Sequence, residues 1–261
     1  MRENPLRSKF EAYEPAIGAW LSTPSSISAE VVGRVGFDYV CIDMQHGLMG
    51  YTDALAMLQG INLGSSTATV RVPWNEPGII GRMLDSGAMA IIVPMVNTAE
   101  ECAAAMSYGL YAPEGSRSTG PTRVMPLEGS DYVDRANEQV AIIPMVETVE
   151  AVDNIDAILQ TPGVEAIYVG PNDLAISMGL GRDSADQSFL DVLDHIAEKC
   201  EEHGVVPGIH AAPSTVQDRI ARGYRMLTVN SDLTAMRTGL VGDLATGRGE
   251  AVEDRAGGGG Y

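Results

Sequence analysis

Short apolar runs alternate regularly with helical patterns along the whole chain, and this alternation leaves few folds open to it. Eight such runs occur, at residues 16–21, 39–43, 67–72, 90–96, 141–146, 166–169, 205–210 and 226–230. They are nearly continuous in apolar residues and often β-branched, which is typical of parallel strands buried on both faces. Eight such units in 261 residues predict a single-domain (β/α)8 TIM barrel. An open doubly wound sheet is the alternative, but residues 20–24 after the first strand lack its glycine-rich fingerprint.

The predicted barrel occupies residues 1–250, and its last helix spans residues 233–244. Residues 251–261 include a run of four glycines and are expected to form a flexible tail. Residues 112–129 are the one long irregular segment inside the barrel. A loop of this length is usually functional or mobile, so we expect an active-site lid or a subunit contact, with a solvated excursion as the alternative.

Composition excludes several classes of partner. The formal net charge of −18 argues against nucleic acid, because phosphate binding needs lysine and arginine. No apolar stretch approaches the roughly 20 residues needed to span a bilayer, so no membrane partner is expected. The three cysteines are odd in number and irregularly spaced, which favours a reducing cytoplasm.

One βαβ unit, residues 141–174, carries a carboxylate at or just past the end of each of its strands, Glu147 and Asp173. Parallel strands joined by a helix end on the same face of a sheet. Two facing acids there form either a hard-cation site or a general acid/base pair. The alternative is that Glu147 begins the next helix as an ordinary exposed acid of its first turn, and that Asp173 caps the short helix after residues 170–172.

Other strand ends carry further chemistry, and in a TIM barrel the active site lies at these ends. His46, in a strand-end loop, is the leading candidate for a general base, with His210 second. Arg71 stands in an otherwise apolar strand and suits a carboxylate or a developing oxyanion, unless it pairs with a neighbouring acid. Asp85, one helix later, is a weak candidate for orienting His46.

Two carboxylates without a histidine or cysteine ligand set favour Mg²⁺ or Mn²⁺. Such a metal would act as a Lewis acid on the ketone of a bound 2-oxo acid. The competing barrel chemistry, a Schiff base, needs a lysine on a strand. Lys9 and Lys199 are the only lysines, and neither lies on a predicted strand.

Several segments together resemble the HpcH/HpaI aldolase family, which includes 4-hydroxy-2-oxoheptanedioate aldolase and 2-dehydro-3-deoxyglucarate aldolase. They are GAWLSTPS, IDMQHG, VRVPWNEPGIIGRMLDSGA, IIVPMVNTAEE, RSTGPTR, PMVETVEAV and YVGPNDLAISMG, and they extend over residues 18–232. The resemblance implies a barrel of the phosphoenolpyruvate/pyruvate-domain type and a class II pyruvate aldolase. Such an enzyme reversibly cleaves a 4-hydroxy-2-oxo acid to pyruvate and an aldehyde through a pyruvate enolate, using Mg²⁺, Mn²⁺ or Co²⁺.

By matching motifs, the resemblance implies a role for each candidate residue. Glu147 and Asp173 would hold the metal, and His46 would take the proton of the 4-hydroxyl through water. Arg71 would bind the ketone oxygen, and Asp85 would raise the basicity of His46. The substrate would lie among Trp20, Arg71, Gly170, Pro171, Asn172 and Asp173.

The family also implies a homohexamer, a dimer of trimers, in which the C-terminal helix packs on a neighbouring barrel. This chain has Gln45 where many members have glutamate, and Met145 where many have glutamine. The loss of a polar group beside the metal, at Met145, would change the substrate pose and favours a different or more apolar aldehyde. Two alternatives remain: an acyl-CoA lyase of the citrate-lyase β-subunit type, whose only basic track would be Arg117 and Arg123, and a non-catalytic barrel. On the aldolase hypothesis, Arg71→Ala should abolish cleavage with little effect on thermal stability.

Overall fold

The computed structural model describes residues 1–182 and 184–250, so the tail expected at 251–261 lies outside the described residues. Eight parallel strands pair in chain order and close into a barrel, which confirms the predicted (β/α)8 fold. The strands are β1 (Ala16–Leu21), β2 (Tyr39–Asp43), β3 (Thr67–Arg71), β4 (Ala90–Val93), β5 (Ala141–Val146), β6 (Ala166–Val169), β7 (Val206–His210) and β8 (Met226–Ser231).

Helices surround the barrel, and several begin at the residues that sequence rules favour. Thr98 and Ser231 accept hydrogen bonds from backbone N–H groups of the helices that they cap, and Pro77 and Pro171 occupy first helical positions. The described helices are α1 (Pro5–Glu11), α2 (Ser26–Gly33), α3 (Tyr51–Ile61), α4 (Pro77–Asp85), α5 (Ala99–Gly109), α6 (Val124–Glu128), α7 (Tyr132–Gln139), α8 (Val149–Asp153), α9 (Ile155–Leu159), α10 (Pro171–Ser177), α11 (Gln187–His203), α12 (Val216–Ala221) and α13 (Asp232–Arg248). No helix among them is both long and apolar enough to cross a bilayer.

Helix α1 was not predicted from the sequence. Its residues Leu6 and Phe10 are buried in the same apolar cluster as the inward-facing side chains of the strands. Asn4 caps the helix and donates hydrogen bonds to the carbonyls of Met89 and Gln139, at 3.0 and 2.8 Å. Since Met89 and Gln139 precede β4 and β5, α1 covers the N-terminal end of the barrel and leaves the other end open.

The segment 112–129 lies at the N-terminal end of the barrel, because it connects the end of α5 to α7 and the start of β5. It is only partly irregular, since it contains α6. Arg117 from this segment is buried and bonds Asp85 at the end of α4, at 2.7 Å. The expectation of a lid over the chain's own active site is therefore corrected, because the loop and the strand ends lie at opposite ends of the barrel.

Two other predicted boundaries change. The helical pattern over residues 149–159 forms two short helices that meet at Asn154, whose side chain donates to the carbonyl of Asn97 at 2.9 Å. Helix α13 is longer than the predicted 233–244 and has no buried residue.

Candidate active site

A buried ion pair joins β2 to β3 at their C-terminal ends. The register pairs Asp43 with Arg71, and the guanidinium donates two hydrogen bonds to the carboxylate, at 2.9 and 2.6 Å. Both side chains are at most 1% exposed. Burial raises the pKa of Asp43, but the hydrogen bonds and charge of Arg71 outweigh it and hold that pKa below its ordinary value. The pair is therefore ionised, and it fixes the direction of the Arg71 side chain.

Aromatic rings form one wall beside this pair. Trp20 stacks on Tyr168 with 5.7 Å between ring centroids, and His210 meets the Trp20 ring edge-on at 5.5 Å. The guanidinium carbon of Arg71 lies 5.0 Å from the Trp20 centroid. The hydroxyl of Tyr168 donates a hydrogen bond of 2.7 Å to the hydroxyl of Thr228, which holds the ring in place. These contacts leave the wall little freedom to move.

The strand ends enclose a small cleft. The structure brings five of the predicted substrate-binding residues to its lining, and Met145, Tyr168 and His210 complete it. The lining residues are Trp20, Arg71, Met145, Tyr168, Gly170, Pro171, Asn172 and His210. His46 is exposed in the loop after β2, and its backbone N–H donates to Asp43 at 3.3 Å. The predicted base therefore lies in the loop that begins directly after Asp43, at the same end of the barrel as the ion pair.

Glu147 follows β5 and is 1% exposed. The backbone N–H of Met95 donates to its Oε1 at 2.7 Å. Burial raises the pKa of Glu147 to about 7; the Met95 hydrogen bond lowers this pKa, and the negative charge of Asp173 raises it. Glu147 and Asp173 thus repel each other electrostatically, as two carboxylates do when they face a shared cation position.

Gly170 makes room for Glu147. A Cβ at this glycine would lie 2.3 Å from Oε2 of Glu147 and 2.9 Å from its Cβ. The residue after β6 must therefore lack a side chain if the carboxylate is to keep its position. Asp173 stands three residues later, in the first turn of α10.

The donor set fits a hard divalent cation. Within residues 1–182 and 184–250, no group of three or more histidine, cysteine or acidic side chains could hold a metal. Glu147 and Asp173 would then supply two oxygen ligands, and water or substrate oxygens would complete the shell, as Mg²⁺ prefers. Neither lysine is placed to form a Schiff base with a substrate in the cleft. Lys9 forms an ion pair with Asp38 at 3.1 Å, and Lys199 forms one with Asp156 at 3.2 Å.

The second histidine candidate, His210, is half-buried at the end of β7. Burial and the positive charge of Arg71 lower its pKa to about 4. His210 is therefore neutral near pH 7 and adds no positive charge to the cleft.

Asp85 is not brought to the cleft. Helices of a (β/α)8 barrel run opposite to the strands, so the last residue of α4 lies at the N-terminal end, away from His46. Its carboxylate pairs with Arg117. The expectation that Asp85 orients His46 is corrected within this chain.

Sequence reasoning missed three contributors to the site. Asp43 could have been found from the parallel register, which sets the ends of β2 and β3 side by side. Tyr168 is an inward-facing strand residue and was treated only as part of an apolar run. Met95 has a left-handed backbone, φ 56°, that directs its N–H to Glu147, and methionine carries no sequence signal for that conformation.

A closed parallel barrel with a cleft at the C-terminal ends of its strands is typical of (β/α)8 enzymes. A model of the HpcH/HpaI aldolase/citrate lyase family matches residues 16–238. The chain belongs to the HpcH/HpaI aldolase/citrate lyase family.

Named relatives and a solved structure are similar over nearly the whole chain. The hydroxypyruvate/pyruvate aldolase of Rhizorhabdus wittichii is 35% identical over 236 residues, which cover 89% of this chain and 94% of the relative. The 5-keto-4-deoxy-D-glucarate aldolase of Klebsiella pneumoniae is 34% identical over 238 residues, 90% of this chain and 93% of the relative. A crystal structure of a family member from Burkholderia cenocepacia superposes with a TM-score of 0.89 at 31% identity, covering 94% of this chain and 99% of that one. The two named relatives are aldolases, which are carbon–carbon lyases.

Proposed function

We propose that the protein is a metal-dependent aldolase that reversibly cleaves a 4-hydroxy-2-oxo acid to pyruvate and an aldehyde. The observation that carries this proposal is the placement of the acids Glu147 and Asp173 beside the cleft that Arg71 lines. Carboxylates hold hard cations, and a fixed guanidinium stabilises a developing oxyanion. The similarity to named aldolases supports the same class of reaction.

In the cleavage direction, His46 takes the proton of the 4-hydroxyl through a water molecule. The C3–C4 bond then breaks, the aldehyde leaves, and the bonding electrons pass to the 2-oxo half. Arg71, fixed by Asp43, donates to the ketone oxygen as its negative charge grows. Protonation at C3 completes pyruvate. A divalent cation, Mg²⁺, Mn²⁺ or Co²⁺, held by Glu147 and Asp173 would supply Lewis-acid polarisation of the ketone.

The pyruvate half of the substrate lies between Trp20 and the turn that begins α10. Trp20 supplies an apolar face, and Gly170 and Pro171 keep the opposite wall close to the backbone. The carboxylate of pyruvate binds beside Asn172 and Asp173. Within one chain, Asp85 does not reach this arrangement.

Acyl-CoA lyase activity is the less favoured function. Coenzyme A carries phosphates that need a basic track near the mouth. Arg117 is buried at the other end of the barrel, and Arg123 donates there to the carbonyl of Ser86. A non-catalytic barrel is disfavoured because the acids, the arginine and the histidine are all present.

The assembly that we propose is a homohexamer, a dimer of trimers, in which α13 packs on a neighbouring copy. Met236, Leu240 and Leu244 recur every four residues along α13 and are 56%, 62% and 54% exposed. A helix with such an apolar stripe is stabilised by burying it. Helix α2 carries a similar exposed stripe that includes Ile27 and Val31, at 70% and 62%. We place the enzyme in the cytoplasm, because all three cysteines are free thiols.

The assembly is tested by light scattering after size-exclusion chromatography. Leu240→Asp should yield smaller particles than the unchanged chain, whereas Asp243→Ala on the same helix should not. If the unsubstituted protein is a monomer, the proposed assembly is wrong.

The activity is tested with chelator-treated protein and a panel of 4-hydroxy-2-oxo acids, following pyruvate with lactate dehydrogenase. Cleavage should appear on adding Mg²⁺, Mn²⁺ or Co²⁺. His46→Ala should lower kcat by about a hundredfold or more, as expected for a lost general base. The absence of metal-dependent release across the panel would refute the aldolase. Cleavage of malyl-CoA instead would assign the chain to the acyl-CoA lyases.

A further inference from the structure

The rim of the cleft is acidic. The described residues that connect each strand to the helix after it include no arginine or lysine, and Arg182 lies farther along the chain, between α10 and α11. Acids recur in the same connections and in the first turns of the helices that follow, at Asp53, Glu76, Glu100, Glu101, Glu147, Glu150, Asp173, Asp218 and Asp232, and Asp186 lies close to Arg182 in the segment between α10 and α11. Charges of one sign around a cleft set the sign of the small molecules that it attracts. This rim disfavours any anionic group that extends beyond the cleft.

Inside the cleft, positive charge is limited to one side chain. Arg71 is the only arginine or lysine in the lining, and Asp43 neutralises it through two hydrogen bonds. His210 is neutral, and Met145 presents a thioether. Besides the proposed divalent cation, which the 2-oxo acid itself would occupy, the lining thus has one cationic side chain and none for a second carboxylate.

Large apolar side chains are exposed at the same end of the barrel. Leu48, two residues after His46, is 74% exposed, and Trp74, three residues after Arg71, is 53% exposed. Ile176, on α10, is 53% exposed. An exposed apolar group beside a ligand cleft is typical of a surface that binds an apolar part of a ligand.

We propose that the aldehyde partner is uncharged and mainly apolar, an aliphatic or aromatic aldehyde, and not one that carries a carboxylate. The inference rests on the proposed aldolase function and names its second substrate. A carboxylate on the aldehyde would face the acidic rim without a lysine or arginine to pair with, and its desolvation would be uncompensated. An alkyl or phenyl group would instead remove apolar surface from water.

The first experiment isolates the pyruvate half-reaction. Exchange of the pyruvate methyl protons in D₂O, followed by NMR with Mg²⁺, requires enolate formation and no aldehyde. Exchange that depends on Mg²⁺ and on His46 would support the proposed function on which this inference rests. Its absence would overturn both.

The second experiment measures kcat/KM for aldol addition of pyruvate to matched aldehydes. The pairs are butanal with succinic semialdehyde, and benzaldehyde with 4-carboxybenzaldehyde. The uncharged member of each pair should be preferred by about tenfold or more, and the preference should shrink at about 1 M salt, where charges are screened. Equal or better use of the carboxylated members, with pyruvate exchange intact, would overturn the inference alone.

A charge variant tests whether the rim is the cause. Glu76→Gln combined with Glu150→Gln removes two exposed rim charges and should narrow the preference a few-fold without changing pyruvate exchange. Glu202→Gln, near the end of α11 and 62% exposed, is the matched control and should change nothing. If the double variant prefers uncharged aldehydes as strongly as the unchanged chain does, the acidic rim is not the cause of that preference.

Discussion

Asp43 and Arg71 stand side by side in the register of β2 and β3, and their side chains share two buried hydrogen bonds. The arginine that we propose to bind the substrate is thus also half of a structural ion pair. Removing one member of such a pair leaves the other charge buried without a partner. Chemistry and stability are therefore coupled at this position.

Arg71→Ala should abolish cleavage and also lower the free energy of unfolding by about 3–5 kcal/mol. The small stability effect expected from the sequence is replaced by this larger one, because the pair is at most 1% exposed. Urea denaturation measures the loss. Arg222→Ala, which breaks an exposed pair with Asp194, is the control and should cost about 1 kcal/mol or less. An Arg71→Ala protein as stable as the unchanged one would show that Asp43 is not buried as a charge.

Gly170→Ala should displace the Glu147 carboxylate, because the new Cβ would meet Oε2 at 2.3 Å. We expect affinity for Mn²⁺, measured by calorimetry, to fall by about tenfold or more, with a parallel loss of pyruvate release. Gly78→Ala is the control, since nothing lies within 4 Å of its added Cβ. Full metal affinity in Gly170→Ala would exclude Glu147 Oε2 as a ligand.

Metal removal should destabilise the folded chain, because a cation between Glu147 and Asp173 offsets their repulsion. At a hundredfold excess over its dissociation constant, Mg²⁺ should add about 2.7 kcal/mol to the free energy of unfolding. Differential scanning calorimetry with chelator and then with Mg²⁺ measures the shift. Glu147→Gln should lose that response. The same shift in Glu147→Gln would place the cation elsewhere.

The stability of the protein should depend on pH through His210. Its pKa is lowered from 6.5 to about 4 in the folded chain, so the unfolded chain binds the proton first as pH falls. The contribution is therefore complete above pH 6.5 and is lost as pH drops toward 4; with partial exposure it is on the order of 2 kcal/mol. His210→Gln should flatten this part of the profile in urea titrations. A profile in His210→Gln that matches that of the unchanged chain would show that His210 is not its cause.

The strand pattern was sufficient to predict the barrel, because period and β-branching report burial on both faces of a strand. The positions of Glu147, Arg71 and His46 at the ends of predicted strands also placed these three residues at the same end of the barrel, where the structure has them. The prediction for Asp85 failed within this chain because it ignored the direction of the helix. Asp85 is close to Arg71 in sequence, but α4 runs antiparallel to the strands and ends with Asp85 at the N-terminal end of the barrel.

Two further features depend on contacts that no local pattern encodes. Helix α1 is stabilised by Leu6 and Phe10 entering a cluster made by distant strands, so its role as a cover is not visible in its seven residues. The left-handed backbone of Met95 persists because Glu147 accepts its N–H across 52 positions of sequence.

The two lysines have a practical consequence for handling the enzyme. Lys9 lies on α1, which covers the closed end, and Lys199 lies in the last turns of α11, beside Asp156 and Glu202. No lysine stands at the mouth of the cleft, since the chain has only these two. Attachment to a solid support through lysine amines would therefore place each covalent linkage away from the mouth of a barrel.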